Sequence, residues 1–141
     1  MEDSFQKHSD IPHVIRSSPD YATKAQEVFA IHNPALPRGV ARPLHAGDVS
    51  PLVKYCTPDS IRSVVRSGGN NLFGKSQVQD ALTIDMRDIN YCHITDDQTS
   101  AKVGGGILFR DLIQALSEHD LAAATGTAPF IGYVRWSTYG G

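Results

Sequence analysis

The densest group of residues suited to chemistry is the run Arg66-Ser67-Gly68-Gly69-Asn70-Asn71-Leu72-Phe73-Gly74-Lys75-Ser76. Glycine has no Cβ, so Gly68, Gly69 and Gly74 permit left-handed backbone and bring successive N–H groups against an anion. The chemistry such a loop offers is phosphate binding. Residues 69–76 match the phosphate-loop pattern G-x-x-x-x-G-K-[ST] in full. On that reading the amides cradle nucleotide phosphates, Lys75 reaches the terminal phosphates and Ser76 ligates magnesium. Such a loop needs a strand before it and a full helix starting at Lys75-Ser76, because the helix N-terminus supplies much of the anion site. Only Gln77, Val78, Gln79 and Asp80 separate Ser76 from the apolar run at Ala81, about one helical turn. A crossover to a parallel strand takes roughly a dozen residues or more. Asp85 thus arrives too early to act as a magnesium-binding aspartate, and a nucleotide-hydrolysing protein stands as the minor reading.

Two further glycine runs, Gly104-Gly105-Gly106 and Gly126-Thr127-Ala128-Pro129 with Gly132, punctuate the second half of the chain. A Rossmann fingerprint would require glycine or alanine where Phe109 follows Gly104-x-Gly106, so that site is excluded. His8, His13, His32, His45, His93 and His119 show no metal-ligand spacing, and no metal is expected. No G-x-S-x-G elbow is present for acyl transfer. Arg66 and Arg87 read equally well as solvated surface charges, and Asp85 as a strand-end residue satisfying local amides.

The scaffold for these loops is an ordinary globular composition: 141 residues, 40% hydrophobic and 20% charged. Thirteen basic against fifteen acidic side chains give a net charge of -2, which excludes nucleic acid as an expected partner. No apolar run approaches the roughly 18 residues of a membrane helix, and the polar N-terminus lacks a secretory pattern, so a cytoplasmic location is the expectation. Cys56 and Cys92 suit reduced, packed thiols. Residues 1–17 read as a loose polar arm, and 18–38 as a helix with its lead-in. In that helix Pro19 takes the first turn, Tyr21, Ala25, Val28 and Phe29 share a face, and Asn33-Pro34 is the stop. Gly39 to Arg42 forms a short strand. A helix follows with Val49, Leu52, Val53 and Cys56 inward, Pro51 being tolerated as a first-turn residue. Ile61 to Arg66 and Ala81 to Asp85 are strands, Tyr91 to Thr95 and Ser100 to Val103 a hairpin, and Phe109, Leu112, Ile113 and Leu116 a helix ending near His119. The tail from Ala122 to Gly141 reads as small-residue and glycine-rich. The pattern is α+β or α/β.

Several of these pieces, in this order, resemble a known family. Ala41-Arg42-Pro43, Val65-Arg66-Ser67-Gly68-Gly69 with Gly74, and Ile84-Asp85-Met86-Arg87 with Asn90 are followed by Val103-Gly104-Gly105-Gly106. Gly126-Thr127-Ala128-Pro129 with Gly132, then Trp136, Gly140 and Gly141, complete the series. Together they resemble the berberine-bridge-enzyme-like branch of the vanillyl-alcohol-oxidase flavoproteins over residues 39–141. The resemblance implies an α+β fold, the N-terminal subdomain of a PCMH-type FAD-binding domain, with a small mixed sheet flanked by helices. It implies FAD as cofactor, its pyrophosphate wrapped by Arg66, Ser67, Gly68, Gly69, Asn70, Asn71 and Gly74. Gly126, Thr127, Pro129 and Gly132 would let backbone run close to the flavin.

Asn70 and Ala128 occupy the positions of the family's covalent histidine and cysteine attachments, which implies noncovalent FAD. Arg135 stands where relatives usually carry glycine. By the same resemblance the chain is a FAD-linked oxidoreductase, or its FAD-binding half, whose flavin accepts hydride from a small organic substrate; fungal relatives imply secondary metabolism. Catalytic residues are not assignable, because the family's substrate domain carries them. The chain reads as truncated after Gly141. A non-catalytic remnant or accessory protein is the second reading, with a homodimer or partner chain covering the truncated face.

Overall fold

The computed structural model describes residues 10–58 and 60–139. A mixed four-stranded sheet in the order β1-β2-β4-β3 forms one half. Its strands are β1 (His13–Ile15), β2 (Gly39–Ala41), β3 (Ser63–Arg66) and β4 (Leu82–Asp85). β1 lies antiparallel to β2, while β2, β4 and β3 are mutually parallel. Central parallel strands are covered on both faces, and β2 and β4 accordingly bury every residue. Helix α1 (Tyr21–Ala25) packs on β2 and β1, burying Tyr21 and Ala25. Helix α2 (Ala46–Cys56) covers the other core, where Leu52 and Cys56 meet Ile11, Ala41, Ile61, Leu82 and Ile84.

Beyond a 3₁₀ turn at Met86–Asp88, the hairpin β5 (Cys92–Ile94) and β6 (Ala101–Val103) pairs antiparallel. Helix α3 (Phe109–Ser117) lays Leu112 and Leu116 against it, beside Ile107. Each such side chain contributes roughly 1.5–3 kcal/mol on full burial, so this second cluster helps to hold the hairpin. Helix α4 (Tyr133–Thr138) closes the described chain, with Tyr133 and Val134 packed on the same cluster. Among the described residues no helix is long and apolar enough to cross a membrane.

Three expectations change. The arm expected over 1–17 is ordered from β1 onward, because β2 supplies ladder partners that three residues cannot signal locally; residues 1–9 lie outside the described residues. The helix expected from Pro19 to Asn33 stops at Ala25. Its supposed inner face fails at Phe29, which is 64% exposed and whose amide is drawn to Gly69 O at 3.0 Å. Pro51 lies one turn deeper than the first turn; the carbonyl it cannot serve belongs to exposed Gly47, where solvent substitutes. Within the glycine-rich tail, α4 forms. Gly140 and Gly141 lie outside the described residues.

Candidate functional site

The glycine loop leaves the sheet at Arg66, the last residue of β3, beside Asp85 at the same level of β4. Arg66 is 1% exposed and Asp85 fully buried. Arg66 Nε and Nη2 donate to Asp85 Oδ2 at 3.0 and 2.7 Å, and the remaining donors reach Ala25 O at 3.2 Å and Lys24 O at 2.9 Å. Arg87 donates from Nε to Asp85 Oδ1 at 2.9 Å and pairs outward with Glu27, which also meets Lys24. Burial pushes the Asp85 carboxyl upward, but the Arg87 hydrogen bond and the Arg66 and Arg87 charges hold it below the ordinary range. Burial pushes the Arg66 guanidinium down, against the pull of Asp85. Arg66 is therefore neither a surface charge nor a side chain available to a ligand. Its guanidinium fixes the root of the loop. Asp85 does satisfy a local amide, accepting from Arg87 N at 3.2 Å, but its main partners are the two arginines.

Past that root the backbone turns outward. Gly69 adopts φ +73°, with its absent Cβ position 2.9 Å from Glu27 O. A Cβ on Gly68 would overlap Phe130 O, and one on Gly132 would overlap Ser67 Oγ. The loop at 66–71 and the segment at 130–132 therefore touch backbone to backbone. Asn70 Nδ2 fastens them, donating to Gly68 O at 2.9 Å and to Phe130 O. Among the described residues, the N–H groups of Gly68, Gly69 and Asn70 have no acceptor within the chain. Consecutive free amides in a turn with one left-handed residue form an anion-binding concavity.

These groups border a cleft of about 320 Å³. Ser67, Gly68, Gly69, Asn70, Asn71 and Gly132 line it, together with Ser76, Arg135, Trp136 and Tyr139. The structure thus brings together most of the first loop and Gly132. It does not bring in the others. Gly74, at φ +69°, packs on Asn33, whose Nδ2 donates to Gly74 O at 2.8 Å and Gln77 O at 3.0 Å. Gly126 backs onto the Phe109 ring, and Pro129 O accepts the Arg110 amide at 3.1 Å. Thr127, Ala128 and Pro129 are exposed away from the cleft lining.

The phosphate-loop reading fails on geometry. Asn71 Oδ1 accepts Phe73 N at 3.1 Å and Lys75 N at 2.9 Å, and Asn71 O accepts Gly74 N at 3.1 Å. The amides meant for phosphates are turned onto Asn71, and Lys75 to Asp80 form turns without a helix. β3 and β4 are nonetheless parallel neighbours, so the irregular loop itself makes the crossover. Sequence reasoning missed the clamp beneath the loop, the Lys24 and Ala25 carbonyls, Glu27 and Asn33. Backbone carbonyls leave no residue-type signal, and Asn33 before Pro34 reads only as a stop.

Residues 37–133 match the FAD binding domain family. The chain belongs to this family. Over 105 residues it is 35% identical to the (R)-6-hydroxynicotine oxidase of Paenarthrobacter nicotinovorans, covering 74% of this chain and 23% of that protein. It is 33% identical over 122 residues to the FAD-linked oxidoreductase aurO of Gibberella zeae, covering 84% and 23%. The crystal structure of 6-hydroxy-D-nicotine oxidase from Arthrobacter nicotinovorans superposes with a TM-score of 0.82 at 28% identity, covering 88% of this chain and 27% of that one. Physcomitrella patens BBE-like 1 superposes at 0.84 with 19% identity, covering 93% and 29%, a likeness of fold alone. The α+β architecture is that of part of a PCMH-type FAD-binding domain. The chain spans about a quarter of the length of the curated relatives it matches.

Proposed function

We propose that this chain is the pyrophosphate-binding part of a FAD-linked oxidoreductase and holds FAD noncovalently. The observation that carries the reading is the cradle at Gly68, Gly69 and Asn70, with amides free, glycine demanded by contact and the cleft open beside it. Ser67, Asn70, Asn71 and Gly132 would hold the dinucleotide. Bound there, FAD supplies a two-electron acceptor for a small organic substrate. The chain's own part is binding and orientation. Asn70 is no nucleophile for a flavin, and its amide is occupied by Gly68 O and Phe130 O, so it fastens the two loops where a covalent link would otherwise form. Ala128 offers no thiol and is exposed.

The test is reconstitution. Purified chain mixed with FAD should quench flavin fluorescence saturably, and acid precipitation should release all the flavin into the supernatant. Flavin retained on the precipitated protein would overturn the noncovalent reading, and no quenching would overturn cofactor binding by this chain.

A further inference from the structure

Resting on the FAD reading above, we propose that Arg135 is a specificity-determining residue that supplies the counter-charge for the cofactor's diphosphate, selecting the dinucleotide over a flavin without phosphate. Ser67, Gly68, Gly69, Asn70, Gly132 and Arg135 all line the cleft, and among the described residues no acidic side chain does. Arg66 also borders it, but that guanidinium is held by Asp85 and two carbonyls. Arg135 differs. Its side chain is exposed, and among the described residues its guanidinium meets no carboxylate; its one recorded partner is the Tyr139 ring, 5.6 Å from Cζ to centroid.

Three arginines bordering the adjoining cleft are matched. Arg42 meets Asp88 at 2.5 Å, Arg87 meets Glu27, and Arg110 meets Asp111 at 3.2 Å. The adjoining cleft that these residues border, about 470 Å³, therefore balances three arginines with Glu27, Asp88 and Asp111. The cleft with the free amides, by contrast, carries a cation that meets no carboxylate among the described residues. A planar guanidinium forms paired hydrogen bonds to phosphate oxygens, and a contact with the face of the Tyr139 ring uses none of its N–H donors. Amides and a guanidinium lining the same cleft would together hold a diphosphate.

The experiment titrates the 141-residue chain and its Arg135→Gln and Arg135→Lys variants with FAD and with riboflavin, following flavin fluorescence across a salt series. Circular dichroism confirms equal folding, as expected for an exposed position. Arg135→Gln should weaken FAD roughly ten- to a hundred-fold, the range of one charge-assisted contact. It should also flatten the salt dependence and leave riboflavin unchanged, while Arg135→Lys recovers part of the loss. Equal FAD affinity and salt slope in Arg135→Gln, with wild type binding FAD, would overturn the role of Arg135 and leave the cofactor reading standing. Tighter FAD binding by Arg135→Gln would show that the side chain obstructs the cleft and would overturn the role as well. Wild type that binds no FAD would overturn both.

Discussion

Asp85→Asn removes the charge between two arginines while keeping the side chain's shape. Arg66, 1% exposed, would keep only the Lys24 and Ala25 carbonyls, which carry dipoles but no charge. Arg87 would retain Glu27 at the surface. Breaking a buried pair from one side costs about 3–5 kcal/mol, because an uncompensated charge stays in the interior. A domain of this size has roughly 5–15 kcal/mol in total. The midpoint of thermal unfolding should fall by roughly 10–20 °C, and the urea midpoint should fall with an unchanged slope. The double variant Arg66→Met/Asp85→Leu, which removes both buried charges, should unfold later than Asp85→Asn. A loss under about 1 kcal/mol in Asp85→Asn would refute the reasoning, since it would mean that solvent reaches the pair.

Acid should act on the same pair. The Asp85 carboxyl is held below its ordinary value in the folded chain, so its stabilisation is complete above about pH 4 and drains away as pH falls through that value and below. Urea midpoints at pH 7, 4 and 3 should decline in that order, and Asp85→Asn should flatten the decline. Gly69→Ala places a Cβ at φ +73° and 2.9 Å from Glu27 O. It should cost about 1–2 kcal/mol in the urea midpoint from the backbone conformation alone, and should also weaken FAD in the fluorescence titration. Lys75→Ala should change neither FAD affinity nor stability by more than about 0.5 kcal/mol. Any nucleotide hydrolysis by the chain that disappears with it would contradict the loop geometry described above.

What was legible in the sequence was what repeats along it. The buried run Ala81 to Asp85 and the hairpin around Asp96 to Thr99 announce themselves by composition and turn residues, and α3 by its one-face spacing. The glycines of the first loop were legible too, and Gly69 and Gly74 adopt the left-handed backbone expected of them, although elsewhere the reason differs. Gly68, Gly132 and Gly126 are glycine because protein atoms fill the Cβ position, namely Phe130 O, Ser67 Oγ and the Phe109 ring. Such contacts join residues far apart in the chain, so local pattern cannot separate a glycine that admits a ligand from one that admits another loop. The same limit hid β1, whose partner lies across the sheet, and the inward turn of Arg66, whose neighbours are carbonyls. An arginine beside two glycines reads as a phosphate ligand until burial shows that its charge belongs to Asp85.

The segment before residue 37 lies outside the family match and still shapes the site. Lys24 O and Ala25 O cap the Arg66 guanidinium, Glu27 O sits under Gly69, Phe29 N donates to Gly69 O, and Asn33 ties Gly74 to Gln77. The loop is thus held from below by chain that carries no motif, and from the side by Phe130 and Gly132. Two independent supports leave the Gly68, Gly69 and Asn70 amides without an acceptor among the described residues. A loop free to relax would satisfy those donors with its own carbonyls, because unpaired N–H groups are costly wherever water is excluded. That they stay unpaired follows from the clamp, which fixes the loop from two sides. On the proposed FAD reading, a loop clamped in this way would incur less of the ordering cost that a flexible glycine loop imposes.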